Sequence, residues 1–151
     1  MQIQSDAFEP NDTIPDRHAR EGDDLSPPLR WSDLPANTKA LSLLVEDPDA
    51  PGGSFTHWLL WNIPVSRDGL DEDVKHRGWF ADEARQGDND FDERGWSGPR
   101  PPEGENHRYV FHLYALDEPL PLEDGATREE VEKAMKGHIL GEAKLVGTYA
   151  R

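Results

Sequence analysis

The chain has 151 residues, 31 of them acidic and 16 basic, for a formal net charge of −15. A coat of that sign repels nucleic acid and anionic membrane, so neither is an expected partner. The lack of cysteine excludes disulfides, thiol catalysis and cysteine zinc sites, and fits a reducing cytoplasm.

Hydrophobic residues make up 34% of the chain, which predicts a lean core within one domain spanning residues 1–151. A domain of this length buries roughly 70% of its unfolded surface. Eleven of the basic residues are Arg and five are Lys. With the acidic coat, that skew predicts a halophilic protein, because salt near 1 M shortens the Debye length to ~3 Å and screens the self-repulsion.

The first ten residues contain Asp6 and Glu9 and no apolar run, which is unlike a signal peptide. No segment approaches the ~20 apolar residues of a membrane span. Lys39 to Val45 reads as a strand in which Leu41, Leu43 and Val45 alternate. Leu44 is also apolar, so burial on both faces is expected. The strand ends at the turn Asp47-Pro48-Asp49-Ala50-Pro51, since proline cannot donate to a ladder.

His57 to Ile63 reads as a second strand. Simple alternation puts Trp58, Leu60 and Asn62 on one face and His57, Leu59, Trp61 and Ile63 on the other. Ser66 to Arg94 is a long acidic connection, which predicts a functional loop or short elements without a clear period. His107 to Leu116 is a third strand, with His107, Tyr109 and Phe111 on one face and Phe111 expected as an apolar floor.

Thr127-Arg128-Glu129-Glu130 matches a capping box. Val131, Ala134, Met135 and His138 follow at helical spacing, and Gly137 or Gly141 should end the helix. Lys144 to Tyr149 is a last strand. Strands outnumber helices, so the reading is a mainly β, mostly antiparallel fold with a C-terminal helix.

Two imidazoles, a phenol and two carboxylates cluster in and beside proline-stiffened turns, which hold polar groups still at the mouth of a core. A phosphate or carboxylate needs several donors of fixed direction. The N–H groups of His57 and His107, the Tyr109 hydroxyl and the amides of the Gly98–Gly104 run are candidates. Asp47 is placed to accept from one histidine and fix its tautomer. His18, His76, His112 and His138 are read as structural, as are Trp58 and Trp61.

A zinc site from His57, His107 and Asp47 is weakly signalled, because the histidines lie far apart in sequence. Asp88, Asp90 and Asp92 imitate the start of a calcium loop, but Glu93 and Pro99 stand where Gly and the bidentate Glu belong. No metal or cofactor is expected. Gly95-Trp96-Ser97-Gly98 lacks the spacing of a nucleophile elbow.

Several spaced motifs together resemble the phosphatidylethanolamine-binding protein family, which includes the Raf kinase inhibitor protein, and its bacterial and archaeal branch in particular. They are Asp47–Pro51, His57-Trp58, the Gly-Pro-x-Pro-Pro-x-Gly run from Gly98 to Gly104, and His107-Arg108-Tyr109. Ser26-Pro27-Pro28-Leu29-x-Trp31, Asn89-Asp90-Phe91 and Gly125-Ala126-Thr127 agree as well.

The resemblance implies a β-sandwich, a larger sheet packed on a smaller one with Greek-key connections, and a small anion pocket at one end. Carried over position by position, it places Asp47, His57, Pro102, His107 and Tyr109 in that pocket, with Asp49, Trp96, Gly98 and Arg100 as candidates for its rim. Arg100 departs from the pattern, since relatives often carry a small or apolar residue there. The tight turn and the resemblance together predict a cis Ala50–Pro51 bond.

Three functions compete. The first is a non-catalytic binding module for a phosphate-bearing or other small anionic ligand, such as a phosphoethanolamine-like head group. The second is an inhibitor of a kinase or protease, meeting that protein partner through the pocket or through the acidic loop near Asp82-Glu83. The third is a hydrolase using His57 or His107 as general base, the weakest because no activated nucleophile can be read. A homodimer is the default assembly for a small cytosolic protein.

Overall fold

A computed structural model of the chain describes residues 1–75 and 84–151. Two antiparallel sheets face each other. The smaller contains β1 (Gln2–Gln4), β2 (Leu29–Ser32) and β5 (Gly69–Leu70), in the order β1-β2-β5. The larger contains β3 (Ala40–Asp47), β4 (Phe55–Ile63), β6 (Arg85–Gln86), β7 (Asn106–Leu116) and β8 (Ile139–Ala150), in the order β6-β4-β3-β7-β8. Strand β7 returns beside β3, the first of the β3, β4, β6 series, which is Greek-key order.

The main core fills the space between the sheets. Ile3, Leu29, Trp31 and Leu70 of the small sheet meet Leu41, Leu43, Val45, Trp58, Phe111 and Leu113 of the large one. The other face of the large sheet is covered by helix α1 (Arg128–Met135) and the chain leading into it. There Val131 and Met135 pack with Leu44, Leu59, Trp61 and Leu120. Strand β3 therefore has apolar layers on both sides, as the extra Leu44 predicted. Burying each such side chain stabilises the fold by about 2 kcal/mol.

Thr127 caps α1. Its hydroxyl accepts from the Glu130 amide while the Glu130 carboxylate accepts from the Thr127 amide. Gly137, at φ 86°, sits just past the last turn in the left-handed conformation that stops a helix. His138 thus lies beyond the helix rather than on it, and its ring meets Asp117 and Glu118. Thr127→Ala is expected to cost about 1 kcal/mol, read as a lower denaturation midpoint with unchanged slope.

Strand β4 departs from simple alternation at two bulges. The register changes between Leu41 and Leu43 and again between Val45 and Glu46. At the first, Trp61 and Asn62 stand opposite a single residue, Asn62 takes φ 56°, and Ile63 returns to the core face with Leu60. Asn62 turns outward, where its side chain bonds both the amide and the carbonyl of Leu120. At the second, His57 is the unpaired extra residue, so His57 and Trp58 both face the space between the sheets. The alternating assignment had put these two residues on opposite faces.

The long connection after β4 contains β5 and β6. Asp82-Glu83 and His76 lie outside the described residues. Among the described residues no helix is long and apolar enough to cross a membrane.

Candidate functional site

A cavity of about 170 Å³ opens at one end of the sandwich. It is lined by Asp47, Ala50, Pro51, Phe55, His57, Phe91, Arg100, Pro101, Pro102, His107 and Tyr109. Five residues singled out from the sequence, Asp47, His57, Pro102, His107 and Tyr109, therefore meet around one space, with Arg100 beside them.

Each wall has a local cause. Asp47 ends β3, and its carboxylate accepts from the Asp49 amide at 2.8 Å. Ala50 and Pro51 follow in a turn closed by Gly53 N–H donating to the Ala50 carbonyl at 3.0 Å. The Ala50–Pro51 bond is trans, not cis as expected. Pro51 is the second residue of that turn, where an ordinary trans proline already supplies the needed φ; a cis proline suits the third position instead.

Phe91 is delivered by the 88–94 loop, which Asn89 organises from a 3% exposed position. The Asn89 side chain accepts from the Phe91 amide and donates to Gly95 O and Ser97 Oγ. Arg20 lies over the outer face of the Phe91 ring, 4.0 Å from its centroid. The Gly98–Pro102 segment is braced by Arg20 N–H to Pro99 O and by Arg151 Nη1 to Pro101 O.

Three expected rim residues lie elsewhere. Asp49 turns to Arg108, accepting from its backbone amide and from two guanidinium nitrogens at 2.8 to 3.0 Å. Those bonds hold the Asp49 carboxyl at about 2, below the usual range. Trp96 is buried behind the cavity, edge-on to Trp58 and stacked on Phe111. Gly98 packs against the His18 backbone, and its amide is spent on Asp24 at 2.7 Å. Phe111 lies in the main core and does not line the cavity; Phe55 and Phe91 supply the aromatic walls instead. Arg100 does line the space, while its guanidinium pairs with Glu21 at 2.8 Å.

The donors also differ from expectation. His57 Nδ1 lies 2.6 Å from the Ser97 carbonyl, so that nitrogen must carry the proton. Burial lowers the pKa of His57, which leaves the ring neutral and Nε2 an acceptor. His107 is engaged on both sides, with Nδ1 2.6 Å from Asp47 and Nε2 2.8 Å from Glu105. Burial opposes its charge, but hydrogen bonds to Glu105 and Asp47 outweigh that, and its pKa is raised.

The Tyr109 hydroxyl is buried and makes no hydrogen bond of ordinary geometry among the described residues, though the Asp47 carboxylate lies near enough to interact with it. Burial first, and the Asp47 carboxylate second, hold it protonated well above its ordinary pKa. Among Asp47, His57, His107 and Tyr109 it is the donor least committed to a partner. Glu105 was missed in the sequence, although the alternation that puts Tyr109 beside His107 puts Glu105 there too. The aromatic pair Phe55 and Phe91 was also missed, and only the Asn89-Asp90-Phe91 motif pointed to it.

The chain is thus a two-sheet sandwich with a small polar-and-aromatic cavity at one end. Residues 4–150 match the phosphatidylethanolamine-binding protein family, and the chain belongs to it. It is 48% identical over 151 residues to a UPF0098 protein of Methanothermobacter thermautotrophicus, covering 100% of this chain and 99% of that one. A UPF0098 protein of Aquifex aeolicus is 41% identical over 153 residues, covering 100% and 89% respectively.

Among solved structures, a phosphatidylethanolamine-binding protein homolog from Chlamydia trachomatis matches with a TM-score of 0.90 and 39% identity, over 99% of this chain and 97% of that one. YbcL of Escherichia coli, described as a member of the mammalian family, matches with 0.93 and 30%, over 99% and 98%.

Proposed function

We propose that the cavity binds one small anionic group, a phosphate or the head group of a phosphoethanolamine-like molecule, and performs no chemistry on it. The observation that carries this is the convergence of Asp47, His57, His107 and Tyr109 on one small cavity, with the Tyr109 hydroxyl buried and making no hydrogen bond of ordinary geometry among the described residues. A buried polar group left unsatisfied costs about 1–3 kcal/mol. A ligand oxygen accepting from Tyr109 removes that penalty.

Size supports the reading. A volume of about 170 Å³ is room for only a few waters at ~30 Å³ each. It falls below the ~300 Å³ at which drug-sized pockets begin, so only a head group enters, not a whole lipid. Among the described lining residues there is no Ser, Thr, Cys or Lys side chain to serve as an activated nucleophile.

Local bonds must overcome the long-range repulsion of a −15 chain. High salt in a cytoplasmic setting favours this by screening the coat.

The test is a titration with phosphoethanolamine in concentrated KCl, following the ring signals of His57 and His107 by NMR. Saturable shifts are expected in the wild type, together with a calorimetric binding heat that is lost in a folded His57→Ala/His107→Ala double variant. A folded wild type with unmoved rings refutes the reading.

A further inference from the structure

We infer that Glu105 is a built-in competitor of the ligand: it stands outside the cavity lining but its carboxylate holds the His107 Nε2–H, so that an anion gains this donor only by displacing it. This rests on the anion-binding reading above. His107 can give a ligand only one of its two N–H groups. The Nδ1 side is closed, because Asp47 is 95% buried in its side chain and anchored by the Asp49 amide as well. Glu105 differs in each respect.

The Glu105 side chain is 51% exposed, and its only described side-chain bond is the one to His107. Its backbone is tied at both ends of the turn, Glu105 N–H to Pro102 O at 3.0 Å and Arg151 N–H to Glu105 O at 3.2 Å. The carboxylate can therefore swing into water while the turn stays in place. Release of Glu105 frees a donor on His107, which lines the same cavity as Tyr109, and the two can then grip one anion.

The exchange also selects ligand charge. Around the imidazolium stand two carboxylates, Asp47 and Glu105. A singly charged anion replacing Glu105 leaves that balance unchanged. A doubly charged one adds a negative charge within reach of the fixed Asp47, which is unfavourable at low local dielectric. His57 fits the same choice, since its Nε2 is an acceptor and suits a ligand that carries a protonated oxygen. The favoured class is thus a monoanion, such as singly protonated phosphate.

The experiment is calorimetric titration with inorganic phosphate at about pH 6, below the ordinary histidine pKa. It compares wild type, Glu105→Ala and Glu105→Gln, with the Glu105 side-chain carboxyl carbon of the wild type followed by NMR at saturation. Removal of one charge-assisted competitor should tighten binding about tenfold in Glu105→Ala and by less in Glu105→Gln, whose amide oxygen can still accept. The wild-type carboxyl signal should shift as phosphate saturates.

Equal or weaker affinity in Glu105→Ala, or a carboxyl signal that does not move, overturns the displacement idea while leaving the binding reading intact. Failure of all three proteins to bind overturns both.

Discussion

Gly98→Ala is expected to destabilise the protein by about 3 kcal/mol, at the upper end of what overpacking costs. A Cβ on Gly98 would lie 2.0 Å from the His18 carbonyl oxygen and 3.0 Å from the Ala19 carbonyl carbon. Both are backbone atoms and cannot rotate away. Nor is the opposing segment free to retreat: the His18 ring holds Leu25 O, Trp96 Nε1 donates to His18 O, and Arg20 N–H holds Pro99 O. For a chain of this length the loss corresponds to a fall in melting temperature of roughly 10 °C. The same contact sets the Gly98–Pro102 loop over the cavity, so phosphoethanolamine affinity should fall with stability. A Gly98→Ala variant that melts with the wild type would mean that this loop is not held against the 18–24 segment.

His107→Ala is expected to cost a similar amount, about 3 kcal/mol, because it strands the buried Asp47 carboxylate. The Asp49 amide and the neighbouring Tyr109 hydroxyl would remain beside it, neither carrying a positive charge. The effect depends on pH in a defined direction. The His107 pKa is raised in the folded protein by Glu105 and Asp47 against the opposing effect of burial. Its ion pairs therefore contribute fully below the unfolded value of about 6.5, and that contribution is lost as pH rises through the folded value. Denaturation of wild type and His107→Ala at several pH values should show the gap between them widest near pH 6 and narrowing toward alkaline pH. A gap that widens as pH rises would contradict the described pairing.

The parts of the fold written in long, regular patterns were legible. Strands β3, β7 and β8 and the capping box at Thr127 follow from alternation and from the Thr-x-x-Glu spacing. His107 and Tyr109 share a face because they are two apart on a regular strand. What escaped was written in irregularity. The two bulges of β4 move His57 and Ile63 to faces that a strict period of two denies them, and His57 reaches the cavity only through its bulge. Strands β1, β2 and β5 have two to four residues each, too few to show a period.

The commitments of the polar groups were hidden for a different reason. Residue type tells which atoms can donate, but only the packed structure shows that Ser97, Asp47 and Glu105 have already taken the imidazole nitrogens. Trp96 and Gly98 belong to motifs near the cavity yet serve packing behind it. Sequence proximity alone does not separate a wall from its support.

The most direct test of the account is Tyr109→Phe. The substitution removes only the buried hydroxyl and keeps the buried ring beside His57, with 5.2 Å between the ring centroids. Thermal unfolding without ligand and calorimetric titration with phosphoethanolamine should be measured on the same preparations. The account predicts a variant at least as stable as the wild type, because a buried hydroxyl without a hydrogen bond of ordinary geometry has gone, and bound at least tenfold more weakly, because the least committed donor has gone with it. Unchanged affinity would contradict the claim that this cavity grips its ligand through Tyr109.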